Sequence, residues 1–247
     1  MTLSRFALFR RPDPTDITVA HEGAIYRVAL RRRAAARRLT LRVSSATGEA
    51  VLTIPERTDV AAAKRFADAH GGWIAARLAR VPDRVALVPG ALVPLRGVEH
   101  RIVHRAVALR RVSVATDAEE PILAVAGETA EVAGRVRAFL QREARRDLEA
   151  AVARYAEALA VTPSRITLRD TTSRWGSCSA RGGLNFSWRL ILAPPFVLDY
   201  LAAHEVAHLR EMNHSQRFWR LVQGACPATH DAEAWLKRHG AGLHRYG

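Results

Sequence analysis

The sequence predicts an α+β protein, a β-rich N-terminal region followed by a C-terminal domain built around a helix with a two-histidine motif. Three observations carry this. Apolar and polar residues alternate in Tyr26-Arg27-Val28-Ala29-Leu30 and Leu39-Thr40-Leu41-Arg42-Val43, the period of a half-buried strand. Apolar residues then recur at three- and four-residue spacing from about 129 to 159, the period of a helix with one buried face. Finally, an apolar stretch opening at Pro194-Pro195 contains His204-Glu205-Val206-Ala207-His208. Proline is well tolerated in a first helical turn, so a helix is expected to start there.

Residues 1–15 read as a flexible tail, because Pro12 and Pro14 oppose regular structure. Residues 16–126 form the β-rich region with one helix. Strands are expected from Ile17 to Ile54, with a turn from Ser44 to Glu49 around Gly48. A helix follows from Asp59, a candidate N-cap, to about Arg80, with Phe66, Trp73, Ile74 and Leu78 near one face. A second β-rich stretch runs from Ala91 to Val125, punctuated by Gly90, Gly97 and Pro121. Residues 127–247 make the C-terminal domain. In its long helix Val136, Phe139, Leu140, Leu148, Val152 and Tyr155 share a face, and Pro163 ends the element. Strand-like segments follow at Arg165–Arg169, Thr171–Ser179 and Leu184–Leu192, with Arg181-Gly182-Gly183 as a hairpin turn. After the motif helix come shorter helices near Gln216–Gln223 and Asp231–His239. No internal repeat is visible.

A chain of 247 residues, just under half of them apolar, can bury a substantial core. No run approaches the roughly 18 apolar residues of a membrane helix. The opening MTLSRFALFR is too short and too broken by arginine for a signal peptide, so the expected address is cytoplasmic. Cys178 and Cys226 lie far apart and form no disulfide framework. The formal charge is +14, and all 38 basic residues except Lys64 and Lys237 are arginine. That bias fits GC-rich coding as well as function. It nevertheless gives an arginine-rich surface capable of weak polyanion or nucleic-acid binding. Arg31-Arg32-Arg33 with Arg37-Arg38 is a candidate phosphate grip, and a solvated strand face explains it nearly as well.

The chemistry concentrates in the motif helix. His204 and His208, four residues apart, project from one face a turn apart and could ligate one zinc ion. Glu205 lies on the flank of that face, where a carboxylate can take a proton from metal-bound water. A catalytic zinc needs a third protein ligand. His214 is the favoured candidate, with Asn213 adopting a left-handed turn to bring it back and Ser215 capping the next helix. Glu211, three residues beyond His208, is the rival. However, three ligands on successive turns of one straight helix converge poorly on a tetrahedral ion. The other histidines, His230, His239 and His244 among them, are expected to be solvated or structural. Cys178 lacks a paired thiol and reads as a small buried residue.

Three stretches together resemble a known family. Ser173-Arg174-Trp175-Gly176-Ser177-Cys178-Ser179, Gly183-Leu184-Asn185-Phe186 and Trp188-Arg189-Leu190-Ile191-Leu192-Ala193-Pro194 are similar to the hairpin preceding the zinc helix of YgjP-like proteins. The run from His204 through Asn213-His214-Ser215 to Phe218-Trp219 resembles that family's metal motif, and Arg37–Val43 and Trp73-Ile74 match its N-terminal pattern. Val206 stands where a leucine is common. The resemblance implies a zincin-like metallohydrolase domain, distantly SprT-like, over 127–247, with an HExxH active-site helix. It implies His204, His208 and His214 as Zn2+ ligands and Glu205 as general base.

The leading expectation is therefore a zinc metallopeptidase acting on a peptide laid along a strand edge. Arg174 and Trp175 are candidate substrate contacts, and Arg174, Tyr200 and His230 are candidate oxyanion stabilisers. One alternative is a metal-dependent nucleoside triphosphate pyrophosphatase, in which arginines neutralise the developing charge on a nucleotide substrate. A second is a nucleic-acid-associated SprT-like protease. Fold and metal motif do not decide between these.

Overall fold

The computed structural model describes residues 14–81, 83–105 and 112–247. The expected 1–15 tail therefore lies almost wholly outside the described residues, and MTLSRFALFR entirely so. The chain divides after Val81 into two compact units, Met1–Val81 and Pro82–Gly247. Sequence patterning suggested a boundary after residue 126. The difference has a packing cause. Val93, Leu95, Ile102, Leu123 and Val125, from the second β-rich stretch, share one apolar cluster with the long helix and the motif helix. A sheet that buries its apolar face against those helices belongs to their unit.

In the first unit β1 (Asp16–His21), β2 (Ala24–Arg33), β3 (Thr40–Val43) and β4 (Ala50–Pro55) form a sheet ordered β1-β2-β4-β3. The β2/β4 pair is parallel and the other two pairs are antiparallel. Alternation in β4 turns Ala50, Leu52 and Ile54 inward, where they meet Ala63, Ala67 and Ile74. The single helix expected over 59–80 is two, α1 (Val60–Ala69) and α2 (Gly71–Leu78). At the break the His70 Nδ1 hydrogen-bonds the Phe66 carbonyl at 2.7 Å. Gly71 there lies against His21, where a Cβ would come within 3.1 Å. Asp59 occupies the N-cap position but its side chain makes no capping bond.

The second unit opens with β5 (Leu92–Leu95), β6 (Val98–Arg105), β7 (Val112–Asp117) and β8 (Glu120–Ala126), ordered β5-β6-β8-β7. Its β6/β8 pair is parallel and its outer pairs antiparallel. This is the order and sense of the first sheet, so a chain path repeats although the sequence carries no repeat. Even the first turns agree. Glu22-Gly23 has φ of 47° and 79°, and Arg96-Gly97 has φ of 52° and 80°, the double left-handed turn that matches strand twist.

A short 3-10 turn at 129–131 leads into α3 (Val132–Ala158). After it come β9 (Arg165–Arg169), β10 (Gly176–Cys178) and β11 (Gly183–Ser187), in a sheet ordered β10-β11-β9. The β10/β11 hairpin turns at Gly182, as the sequence suggested. The strand expected to reach Leu192 stops at Ser187. Its hydroxyl accepts the Arg189 N–H at 3.4 Å, and Trp188–Leu192 wind into a fully buried 3-10 helix. Only 176–178 of the expected Thr171–Ser179 strand is extended and paired. Helices α4 (Pro195–Ala207), α5 (Gln216–Ala225) and α6 (Thr229–Leu243) complete the unit. Among the described residues no helix is long and apolar enough to cross a membrane. Both cysteines are free.

Two arginines tie this unit together. Arg96, at the β5–β6 turn, reaches α3 through Asp147 at 2.7 Å and Glu143 at 2.8 Å. Arg189, only 7% exposed, pairs with Asp170 at 2.6 and 3.2 Å. Its remaining nitrogen donates to the carbonyls of Leu243 and Tyr246 at 3.2 and 2.6 Å, holding the end of the chain. A buried guanidinium without its carboxylate is costly, whereas Asp170 is 43% exposed and partly screened. Burial alone would raise the Asp170 pKa, but hydrogen bonds and charge from Arg189 hold it below its ordinary value. A carboxylate depressed in the fold stabilises above its unfolded pKa, and that stability is lost as pH falls through the folded value. Asp170→Asn is expected to lower the unfolding free energy by about 2 kcal/mol at neutral pH. In urea titrations the gap from wild type should shrink below about pH 4. A gap unchanged in acid would remove the ion pair as its cause.

Candidate metal centre

Helix α4 is apolar on nearly every side. Val197, Leu198, Leu201, Ala202, Ala203, Val206 and Ala207 are all buried, so the helix carries its polar residues into a dry setting. It begins on Pro195, as expected, and ends at Ala207 with His208 at the C-cap. The amides of Leu209 and Arg210 then tighten the last turn onto the carbonyls of Val206 and Ala207 at 3.0 Å. The chain reverses and restarts as α5, whose first turn is capped by the Ser215 hydroxyl accepting the Phe218 N–H at 3.3 Å. Asn213 does not take the left-handed conformation anticipated for it. Instead its side-chain oxygen accepts the Ser215 N–H at 3.0 Å, which makes the same reversal without positive φ.

That reversal brings three imidazoles together. One ligand atom each from His204, His208 and His214 lies within 4.8 Å of the others, and the Nε2 atoms of His204 and His214 are 3.2 Å apart. Two nitrogens bound tetrahedrally to one zinc would stand about 3.3 Å apart. Phe218, fully buried, forms the floor, stacked on His208 at 4.4 Å and edge-on to His204 and His214 at 4.9 and 4.8 Å.

The outward nitrogens are already committed. His208 Nδ1 donates to the Glu211 carbonyl at 3.1 Å. His204 Nδ1 lies 3.2 Å from the Tyr200 hydroxyl, which itself donates to Glu233 Oε1 at 2.9 Å. Those bonds place the ring protons on Nδ1 and leave the Nε2 lone pairs of His204 and His208 facing the cluster. Burial pushes the His204 pKa down to about 4, aided by the neighbouring imidazoles, and burial also lowers that of His208. Imidazole nitrogens on three converging rings are a donor set suited to a zinc ion.

Glu205 is 4% exposed, and its Oε2 has no hydrogen-bond partner. Burial pushes its pKa up to about 8, against the opposing charge of Arg174. Gly176 on β10 makes room for it, because a Cβ there would sit 2.4 Å from Glu205 Oε1. Strand β10 is an edge of its sheet among the described residues, so the carboxylate stands beside a terminal strand.

Several sequence expectations resolve differently. Glu211 contributes its backbone carbonyl rather than its carboxylate, which lies 4.0 Å from Arg217. Tyr200, an oxyanion candidate, is buried and bonded to His204 and Glu233. His230 is exposed and outside the cluster. Trp175 borders a pocket near Glu205, but its ring stacks on His244 at 4.8 Å. Cys178 stays half-buried outside the metal set, its thiol pKa raised by burial and by Glu205. Of the N-terminal arginines, Arg31 pairs with Glu49, and Arg32 donates to the carbonyls of Pro55, Glu56 and Thr58. Part of that cluster therefore staples its own sheet.

The Tyr200–Glu233 relay and the Gly176 gap went unread in the sequence. The signals were present: Tyr200 stands one turn before His204, and an isolated glycine beside a strand marks close approach. Glu233 is on another helix, and only the folded chain pairs it.

A family model described as "YgjP-like, metallopeptidase domain" matches residues 37–239. No curated protein matches. A crystal structure of the metallopeptidase zymogen abylysin from Pyrococcus abyssi is 20% identical, aligned over 40% of this chain and 97% of that one, with a TM-score of 0.35. A likeness that slight carries no argument. The family match is different in extent, since it takes in most of the chain together with all three histidines and Glu205, and by it the protein belongs to the YgjP-like family and carries that family's metallopeptidase domain.

Proposed function

We propose that this protein is a zinc-dependent peptidase in which Glu205 is the general base. The observation that carries this is the convergence of three imidazole nitrogens next to a helix residue, Glu205, whose buried Oε2 has no hydrogen-bond partner and which abuts the terminal strand β10. His204, His208 and His214 would hold the ion. A zinc ion held there supplies Lewis acidity, lowering the pKa of a coordinated water to about 7 and polarising a carbonyl.

The chain's own residues account for the remainder. A peptide extended along β10 gains main-chain hydrogen bonds from the unpaired edge. Gly176 brings its backbone close to Glu205, whose dry carboxylate takes the proton from the attacking water and returns it to the leaving amine. Arg174 and the wall formed by Trp175 border the adjoining pocket and are the substrate contacts of this reading. Tyr200, backed by Glu233, fixes the ring orientation and tautomer of His204. The same arginine-lined pocket keeps nucleoside triphosphate hydrolysis as a second reading, with phosphate in place of the peptide.

Elemental analysis of protein purified with zinc should find about one ion per chain, lost in His204→Ala. Protein that stays zinc-free in excess metal would end this proposal. Glu205→Gln should retain the ion yet cut peptide hydrolysis by about 10²- to 10⁴-fold. Undiminished turnover would remove Glu205 as the base. Tyr200→Phe should weaken zinc retention against a competing chelator by about 10-fold or more, with the circular dichroism spectrum unchanged. Equal retention would reduce Tyr200 to packing.

A further inference from the structure

Several arginines of the second unit are paired within the fold. Arg96 holds Asp147 and Glu143, Arg101 holds Glu120, Arg154 holds Asp199 and Arg189 holds Asp170. Arg169 and Arg174 differ. Neither has an ion-pair partner among the described residues, and both line one open pocket of about 440 Å3.

The rest of that pocket is rich in hydrogen-bonding groups and free of carboxylates. Ser173, Ser177 and Asn185 line it. Asn185 Nδ2 donates to Ser177 Oγ at 3.3 Å, and the Thr171 hydroxyl donates to the Arg174 carbonyl at 2.9 Å, which braces the loop that presents the guanidinium. Position matters as much as charge. Gly176 belongs to the lining and also abuts the Glu205 carboxylate, so the pocket begins where the proposed bond cleavage occurs.

We propose that this pocket selects the substrate by receiving the carboxylate of an acidic side chain next to the scissile bond, held between Arg169 and Arg174. The inference rests on the peptidase reading and names its substrate class. An extended peptide advances about 3.3 Å per residue with side chains on alternate faces. A residue within one or two positions of the cleaved bond therefore projects toward the pocket. Guanidinium pairs grip carboxylates through charge-assisted bonds.

The test uses the full-length, zinc-loaded chain and peptide sets identical except for Glu, Gln or Lys at each position flanking the cleavage site, with products mapped by mass spectrometry. Glu is expected to exceed Gln by on the order of 10-fold in kcat/KM at one position. The double reversal Arg169→Glu/Arg174→Glu should turn that preference toward Lys while zinc content stays at the wild-type level. The single variant Arg169→Gln, a milder change, should narrow the Glu-over-Gln ratio even where the double reversal folds poorly. Cleavage without any acidic preference, or a preference that survives both variants, overturns this inference and leaves the peptidase intact. Zinc-loaded protein that cleaves no peptide overturns both. Hydrolysis of nucleoside triphosphates by that same protein, lost on arginine reversal, would give the pocket to phosphate instead.

Discussion

The arrangement depends on the complete packing of α4. A helix apolar on nearly every side has little solvent face, so a polar residue that points into its packing is desolvated and must be partnered or left for a ligand. Tyr200, His204, Glu205 and the C-cap His208 are such residues, whereas Asp199 is partly exposed and pairs with Arg154. Tyr200 and the outward nitrogens of His204 and His208 find protein partners. What remains unmatched is the convergence of imidazole nitrogens and, on the residue next to His204, one carboxylate oxygen of Glu205. A surface helix with the same motif would have met those demands with water.

Packing also explains how the neighbours act. Phe218 contacts all three imidazoles, so the beginning of α5 is fixed by the rings that it supports. His214 needs no place on α4 because the Asn213–Ser215 turn delivers it from outside, so the three imidazoles converge without standing on one straight helix. On the other flank, the missing Cβ of Gly176 lets an edge strand approach the buried carboxylate. The edge strand and the helix that carries His204 and His208 therefore meet at one side chain, Glu205.

Local signals in the sequence led furthest. The proline start of α4, the four-residue histidine spacing, the Ser215 cap and the Gly182 turn each depend on residues within a few positions, and each is found in the fold. Long-range pairing set the limit. Glu233 is 33 residues from Tyr200, and Asp170 is 19 from Arg189, so neither partnership has a periodic signature. The end of β11 misled for a related reason. Trp188–Leu192 is apolar enough for a buried strand, but a buried 3-10 helix has the same composition, and the Ser187 hydroxyl decides the backbone. The unit boundary was hidden because it depends on which core the second sheet joins.

The two sheets follow one chain path under different obligations. At the first hairpin, Gly23 has open space around the position of a Cβ. At its counterpart, Gly97 would meet Pro194 at 3.0 Å, and the amides of Arg96 and Gly97 bond the carbonyls of Ile191 and Leu192, just before α4 begins. Identical backbone geometry is thus a free surface turn in one unit and a bearing surface in the other. Slack at the second turn would pass through two residues to the helix that orients His204 and His208, so the precision of the imidazole cluster is set partly by a hairpin that lies outside it.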